Sequence, residues 1–439
     1  MKKRGLSILV SVVLVIVIAM SFIGCASTTT TPTTTTPTTT TPTTTTPTTT
    51  TTPAQTEPTE IKVGASVPLS GWAVTSADRP CQDNYQMWVD EVNAQGGIFI
   101  KDFNKKIPLK LILYDDTSDP SKCVQNYEKL ILQDKVDFLL APWGTAFHFA
   151  VAPLVNQYKY PLIGVTETSN DLRDQAKYSL PYFFGLENQA LEVATGLVNV
   201  LKEEGVKTTA VTYVGTLYGI DFTSILLPLL EQNGIENLYY KSYPVDVKDV
   251  SVFLKEIADK NPDAYLSFSY PEDGFLIQEG LISLGWSPKA FYNSFAGFPD
   301  YMDKFGADTV EGVMGSSAQP YDTNPDAKDY YDRFLARWGV KATYECAYSW
   351  ASMQIWEDVL ANVSLYDREA QKDYIANNAF DTIWGHIKFV DQYNIITADN
   401  PDANPGVLSQ IQDGIFKVLE PKEKRDAQGI TVIYPKPAW

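Results

Sequence analysis

The chain has 439 residues, 44% of them hydrophobic, and sets 35 Lys and Arg against 53 Asp and Glu for a formal net charge of −18. So acidic a chain has neither the basic footprint that nucleic-acid phosphates demand nor the cationic face needed to lie flat on anionic lipid. Four cysteines and two histidines without a CxxC pair match no zinc pattern, and no metal or cofactor is expected.

Lys2, Lys3 and Arg4 precede an apolar run from Leu6 to Ile23, the pattern of an export signal over residues 1–24. Gly24-Cys25-Ala26-Ser27 resembles a bacterial lipobox, with Phe22 where Leu is usual. Cleavage before Cys25 leaves a lipidated N-terminus that several acyl chains hold to a membrane. The run is also nearly long enough to span a bilayer uncleaved. Both readings place the remainder outside the cytoplasm. Residues 25–60 carry a TTTTP repeat from Thr28 to Pro53. Such a tract buries no apolar surface and is expected to be a disordered, extended spacer reaching on the order of 80 Å.

The body, 61–439, is long enough for two domains. Ile61 to Val67 reads as a strand ending in Pro68-Leu69-Ser70-Gly71, and Asn84 to Ala94 as a helix stopped by Gly96-Gly97. Leu109 to Tyr114 is a strand, after which Asp119 and Pro120 have the form of an N-cap and first helical residue. Phe138 to Pro142 and Leu162 to Val165 are apolar strands with a helix between them. The pattern then restarts. Thr209 to Val214 is a strand, Asp221 to Gln232 a helix, and Leu238 to Tyr243, Ala264 to Ser269 and Phe291 to Phe295 are further strands. Alternation of this kind predicts two α/β units with parallel sheets, and a ligand site outside the carboxyl ends of the strands.

Cys81 and Cys123 stand where helices begin. An extracytoplasmic setting permits a disulfide between them, although sequence leaves the geometry open. Cys346, on the apolar face of YECAYSWASMQIW, reads as a buried thiol, and His148 and His386 as structural side chains.

The segments IKVGASVPLSG, VDEVNAQGGI, LKLILYDDTSDPSKC and HIKFV…IQDGIFKVLEP resemble, in order, the branched-chain amino-acid (Leu/Ile/Val) type of type I periplasmic binding protein. The resemblance runs from Ile61 to about Pro421. It implies an α/β fold of two Rossmann-like lobes joined by three crossovers, a Venus-flytrap. The lobes are placed at 61–183 plus 320–384 and at 184–319 plus 385–439, with crossovers near Tyr182–Gly185, Ser316–Tyr321 and Ile383–His386. It also implies a monomeric solute receptor that hands a small molecule to a membrane ABC permease.

The family's site maps residue by residue. Trp143-Gly144-Thr145, after the third strand, matches a loop that holds a ligand carboxylate with N–H and hydroxyl groups. Thr166 and Thr168, after the fourth strand, match a second such loop. Tyr218 and Tyr270 match second-lobe positions that cover the ligand, and Trp72 is expected to wall the pocket. Where amino-acid-binding members carry a Glu for the ligand ammonium, this chain has Phe295. Glu187 is a place where acid can help, whereas Glu167 and Asp273 are expected to face water. A buried ammonium without a partner is costly, so this reading tilts toward carboxylates that lack an α-amine. The sequence holds no GxSxG, HExxH or P-loop lysine motif, so no enzyme is read from it. The rivals to import are a ligand-sensing receptor subunit and, more weakly, a stalked adhesion protein.

Overall fold

The computed structural model describes residues 56–316, 325–395, 397, 400, 403 and 406–439. The export signal, Cys25 and the Thr/Pro tract lie outside the described residues. Chain order begins β1 (Ile61–Val67), α1 (Val74–Ala77), α2 (Asn84–Ala94), the hairpin β2 (Ile98–Ile100) and β3 (Lys105–Ile107), β4 (Leu109–Asp115), α3 (Pro120–Lys129), β5 (Phe138–Leu139), α4 (Thr145–Tyr158), β6 (Leu162–Gly164), α5 (Asn170–Ser179) and β7 (Phe183–Gly185). In β1 every residue but Lys62 is buried. A strand so apolar belongs inside a parallel sheet covered on both faces, and β1 pairs in parallel with β4 and β5. Residues of β1 and α2 such as Val63 and Trp88 share one hydrophobic cluster with Trp356, while Leu139 joins Tyr127 and Val151 in another. Gly64 permits the close approach on the strand, since a Cβ there would lie 2.9 Å from Leu130 Cδ2. Asp119 caps α3 as expected, accepting from the N–H of Ser121 at 2.7 Å.

The second run is α6 (Ala190–Glu203), β8 (Thr208–Val214), α7 (Leu217–Gln232), β9 (Glu236–Tyr243), α8 (Ser251–Lys260), β10 (Ala264–Phe268), α9 (Pro271–Leu284), β11 (Ala290–Asn293), α10 (Pro299–Phe305) and β12 (Met314–Ser316). The chain then forms α11 (Pro325–Trp338), α12 (Tyr344–Asn362), α13 (Arg368–Asn377), a hairpin of β13 (Ala379–Thr382) and β14 (Gly385–Lys388), then β15 (Leu408–Gln412), β16 (Ile415–Glu420) and α14 (Lys422–Ala427). Strands β12, β11, β10, β8 and β9 form a parallel array, and β15 and β16 extend it antiparallel at one edge. These two α/β halves are the lobes.

The chain leaves the first sheet system after β7 and enters α6, which packs on β15 and β16. The expected second passage, Ser316–Tyr321, falls largely outside the described residues. Helix α12 lies on α2, so by then the chain is back on the first lobe. Ile383–His386 is not a passage between lobes: it contains the turn of the β13–β14 hairpin, whose first strand packs on α12. Tyr393 still bridges Gly185 of β7, and the second sheet is reached only at β15. A short run such as Ile383–His386 reads the same in a hairpin turn as in a crossover, and only long-range pairing separates the two.

Cys81, Cys123 and Cys346 are free, buried thiols, so the disulfide left open between Cys81 and Cys123 is not formed. Cys81 and Cys123 belong to different hydrophobic clusters, and the Cys123 thiol points to the Ser66 carbonyl at 3.8 Å. Among the described residues no helix is long and apolar enough to cross a membrane.

Trp356 is 1% exposed and packs on Phe138 of β5 with ring centroids 4.9 Å apart, locking α12 to the first sheet. Trp356→Ala is expected to cost roughly 3–5 kcal/mol, read as a lower urea midpoint at unchanged slope. A loss under about 1 kcal/mol would show that α12 does not depend on this contact.

Candidate ligand-binding cleft

The loops at the carboxyl ends of the strands converge between the lobes. After β5, Gly144 adopts φ +85°, a left-handed conformation that turns the chain sharply into α4. The helix begins at Thr145. Its first N–H groups, on Thr145 and Ala146, have no intrahelical acceptor and point out of the helix end. Hydrogen bonds lace this loop to the one after β6. The Gly144 N–H donates to Thr166 Oγ1 at 2.9 Å, and the Thr168 N–H donates to Thr145 Oγ1 at 3.3 Å. His148 ties them again: its Nδ1 lies 2.9 Å from the Gly144 carbonyl, and the Val165 N–H donates to Nε2 at 3.4 Å. Both bonds require a neutral ring protonated at Nδ1, and complete burial pushes the imidazole down to about 4. The expected structural role for His148 is therefore specific: it positions two strand-end loops.

Thr145, Thr166, Thr168, Trp143, Gly144, Glu187, Tyr218, Tyr270 and Phe295 all line one inner cavity of about 30 Å³. That volume holds little more than a water or two, because aromatic rings fill the space. Tyr270, the N-cap of α9, is the hub: its ring centroid lies 5.2 Å from Trp72, 5.5 Å from Trp143, 5.6 Å from Tyr218 and 6.3 Å from Phe295. Trp72 does not line the inner cavity. It sits at the lip of an outer cleft of about 540 Å³ and closes the inner one from outside against Tyr270. Its indole N–H donates to the Ser118 carbonyl at 3.2 Å, which fixes the ring.

Thr168 Oγ1 is buried and has no hydrogen-bond partner among the described residues. A buried hydroxyl in that condition has hydrogen-bonding capacity that the protein itself does not use. Glu187 and Glu345 line the same cavity at 8% and 4% exposure. Trp143 Nε1 donates to Glu345 Oε2 at 3.3 Å. Burial raises both carboxyl groups, Glu345 to about 8, and each Glu187 charge is further opposed by Glu345 and Glu167. Glu345 was invisible in sequence because it sits in a helix read as an apolar face; a lone acid in YECAYSW was the available signal. Tyr344 and Asn188 were missed likewise.

Two expectations reverse. Glu167 does not face water: it is fully buried, accepts from the Ser169 N–H at 3.1 Å and Gln189 Nε2 at 3.3 Å, and is raised by burial to about 7. Asp273 is 6% exposed and lines the outer cleft. Side-chain contacts hold the lobes together at the rim. Ser169 donates its hydroxyl to Asp221 of α7, Arg79 pairs with Asp300 of α10 at 2.7 Å, and Lys341 pairs with Asp303 at 2.7 Å.

A carboxyl raised in the folded state keeps a proton that the unfolded chain has released, so its contribution falls as pH rises from the ordinary value of 4.5 through about 8. Glu345→Gln removes that dependence. Ligand-free Glu345→Gln is expected to gain on the wild type between pH 5 and pH 8.5, by roughly 2–4 kcal/mol at the upper end. Urea midpoints across that range test this, and a difference that does not grow with pH would mean Glu345 is not held neutral.

The periplasmic binding protein family profile matches residues 60–400. A Leu/Ile/Val-binding protein homolog 8 of Brucella abortus (strain 2308) is 21% identical over 295 residues, covering 64% of this chain and 70% of the relative. Among solved structures, the branched-chain amino acid transporter substrate binding protein LivJ of Streptococcus pneumoniae, in complex with isoleucine, superposes with a TM-score of 0.68 at 17% identity, over 82% of this chain and 98% of that one. A solute binding protein of an ABC transporter from Rhodopseudomonas palustris BisB5, in complex with 3,4-dihydroxy benzoic acid, gives 0.67 at 17% identity, over 76% and 91%. With two α/β lobes, strand-end loops facing a closed cleft and these likenesses in agreement, the chain belongs to the periplasmic binding protein family, with the two-lobed type I fold, and is a solute-binding protein.

Proposed function

We propose that the chain is the extracytoplasmic, lipid-anchored solute receptor of an ABC importer, which closes on a small acid bearing an amine and presents it to a permease. One observation carries the ligand reading: the unpartnered Thr168 hydroxyl and the open N–H groups of α4 line one cavity with Glu187 and Glu345. The first set suits a carboxylate, and the second suits an ammonium. This revises the expectation drawn from Phe295. That residue does line the cavity, but acids from the β7–α6 passage and from α12 take the place of the missing second-lobe Glu. The isoleucine bound by the Streptococcus protein carries the same two groups. The lobes are read as 61–183 with 320 to about 395, and 184–319 with about 396 to 439, the hairpin and Tyr393 moving the last boundary on from 384.

Mass spectrometry of small molecules released from the purified protein is expected to find a compound with both a carboxylate and an amine. Finding only amine-free acids would defeat the ligand class. With that compound, Thr168→Val is expected to weaken binding by roughly 1–3 kcal/mol, the cost of an unpaired buried group; an unchanged Kd in calorimetry would remove Thr168 from the site.

Anchoring rests on the apolar run and Gly24-Cys25. The intact mass of protein from membranes is expected to show a chain beginning at an acylated Cys25, and Cys25→Ser to abolish this processing. A wild-type N-terminus elsewhere, without lipid, would refute the anchor.

A further inference from the structure

The cleft has a charge imbalance that a simple amino acid does not correct. No Lys, Arg or His lines the inner cavity among the described residues, while Glu187 and Glu345 both do. The cation whose field reaches Glu345 is Arg79, yet its guanidinium is committed to Asp300 at 2.7 Å and to the Lys341 carbonyl at 2.9 Å. Trp143 offers Glu345 a neutral N–H, which is a hydrogen bond and no counter-ion. A zwitterionic ligand brings its own carboxylate to the Thr145–Thr168 loops and one ammonium to the two acids. The second buried acid then has no positive partner in the cavity and must keep its proton, the place that a second cationic group on the ligand would take.

Two further features point the same way. The rings of Trp143, Tyr218, Tyr270, Phe295 and Tyr344 line the cavity, and aromatic faces attract organic cations in a desolvated site. The outer cleft, which meets the inner cavity at Tyr270, is lined by Asp246, Glu272, Asp273 and Glu279 against Lys248 and Lys304, and Lys304 is paired with Glu279 at 2.8 Å. A cleft of that sign concentrates cations and repels anions.

We infer that the cleft selects a ligand with one more positive than negative charge: an amino acid carrying a second amine or guanidinium. This rests on the reading of the chain as a receptor for amine-bearing acids and deepens it. Glu187 and Glu345 take one cationic group each, and the loops of Thr145 and Thr168 take the carboxylate.

The test holds the six-carbon skeleton constant and changes only charge. Calorimetry on the whole chain in detergent, dialysed free of small molecules, compares hexanoate, norleucine and lysine. Lysine is expected to bind at least about tenfold more tightly than norleucine, equivalent to about 1.4 kcal/mol, with hexanoate weakest. Glu345→Gln, and separately Glu187→Gln, is expected to bring the lysine-to-norleucine ratio within about threefold of unity; two variants are used so that misfolding of one does not decide the matter. The inference is overturned if norleucine matches or exceeds lysine, if neither amino acid binds, or if both variants keep the wild-type ratio. Norleucine binding without lysine binding leaves the solute-receptor reading standing. Failure of all three compounds, together with no small molecule released from the purified protein, removes both.

Discussion

A carboxylate buried in a closing cleft needs a positive charge, a set of donors or a proton. Glu187 and Glu345 face that requirement inside one cavity. They come from distant parts of the chain, one from the passage after β7 and one from the first turn of α12, and meet only because α12 packs back on the first lobe. Much of the surrounding structure bears on how this need is met. Arg79 is held away by Asp300, Trp143 donates one N–H, and the aromatic rings around Tyr270 exclude the water that would otherwise solvate both acids.

The other end of the cavity is rigid by construction. Gly144 bends the chain into α4, and Thr166, Thr145 and His148 bind the two strand-end loops to each other across a few ångströms. A neutral, wholly buried imidazole can donate on one side and accept on the other, which no lysine or arginine could do. Because the loops satisfy each other internally, only the Thr168 hydroxyl and the open end of α4 remain for an outside partner. This end of the cavity is rigid and carries neutral donors, whereas the other end carries two buried acids.

Tyr270 joins these two ends. Its ring touches Trp72 and Trp143 of the first lobe and Tyr218 and Phe295 of the second, and its hydroxyl pairs with Thr216 at 3.1 Å. This cluster fills the inner cavity and leaves little free volume, with Trp72 at the lip of the outer cleft. The rim pairs Arg79–Asp300 and Lys341–Asp303 and the Ser169–Asp221 hydrogen bond tie the lobes around it.

Local sequence determined a good deal of this. The apolar β1, the Asp119-Pro120 helix start and the strand–helix alternation were legible because period, caps and loop ends are properties of neighbouring residues, and the family resemblance then singled out Thr145, Thr166, Thr168, Tyr218 and Tyr270 in the loops after those strands. The tertiary structure decided what depends on residues far apart in the chain. It made Ile383–His386 the turn of a hairpin rather than a crossover, kept Cys81 and Cys123 apart in separate clusters, and turned Glu167 inward. It also set Trp72 outside the cavity it was expected to wall. Glu345 is the clearest case. Its neighbours in sequence mark only a buried helix face, and its charge acquires meaning when packing brings that face to the cleft opposite Glu187. Electrostatic energy depends on distance and burial, and for residues 158 positions apart neither is written in local sequence.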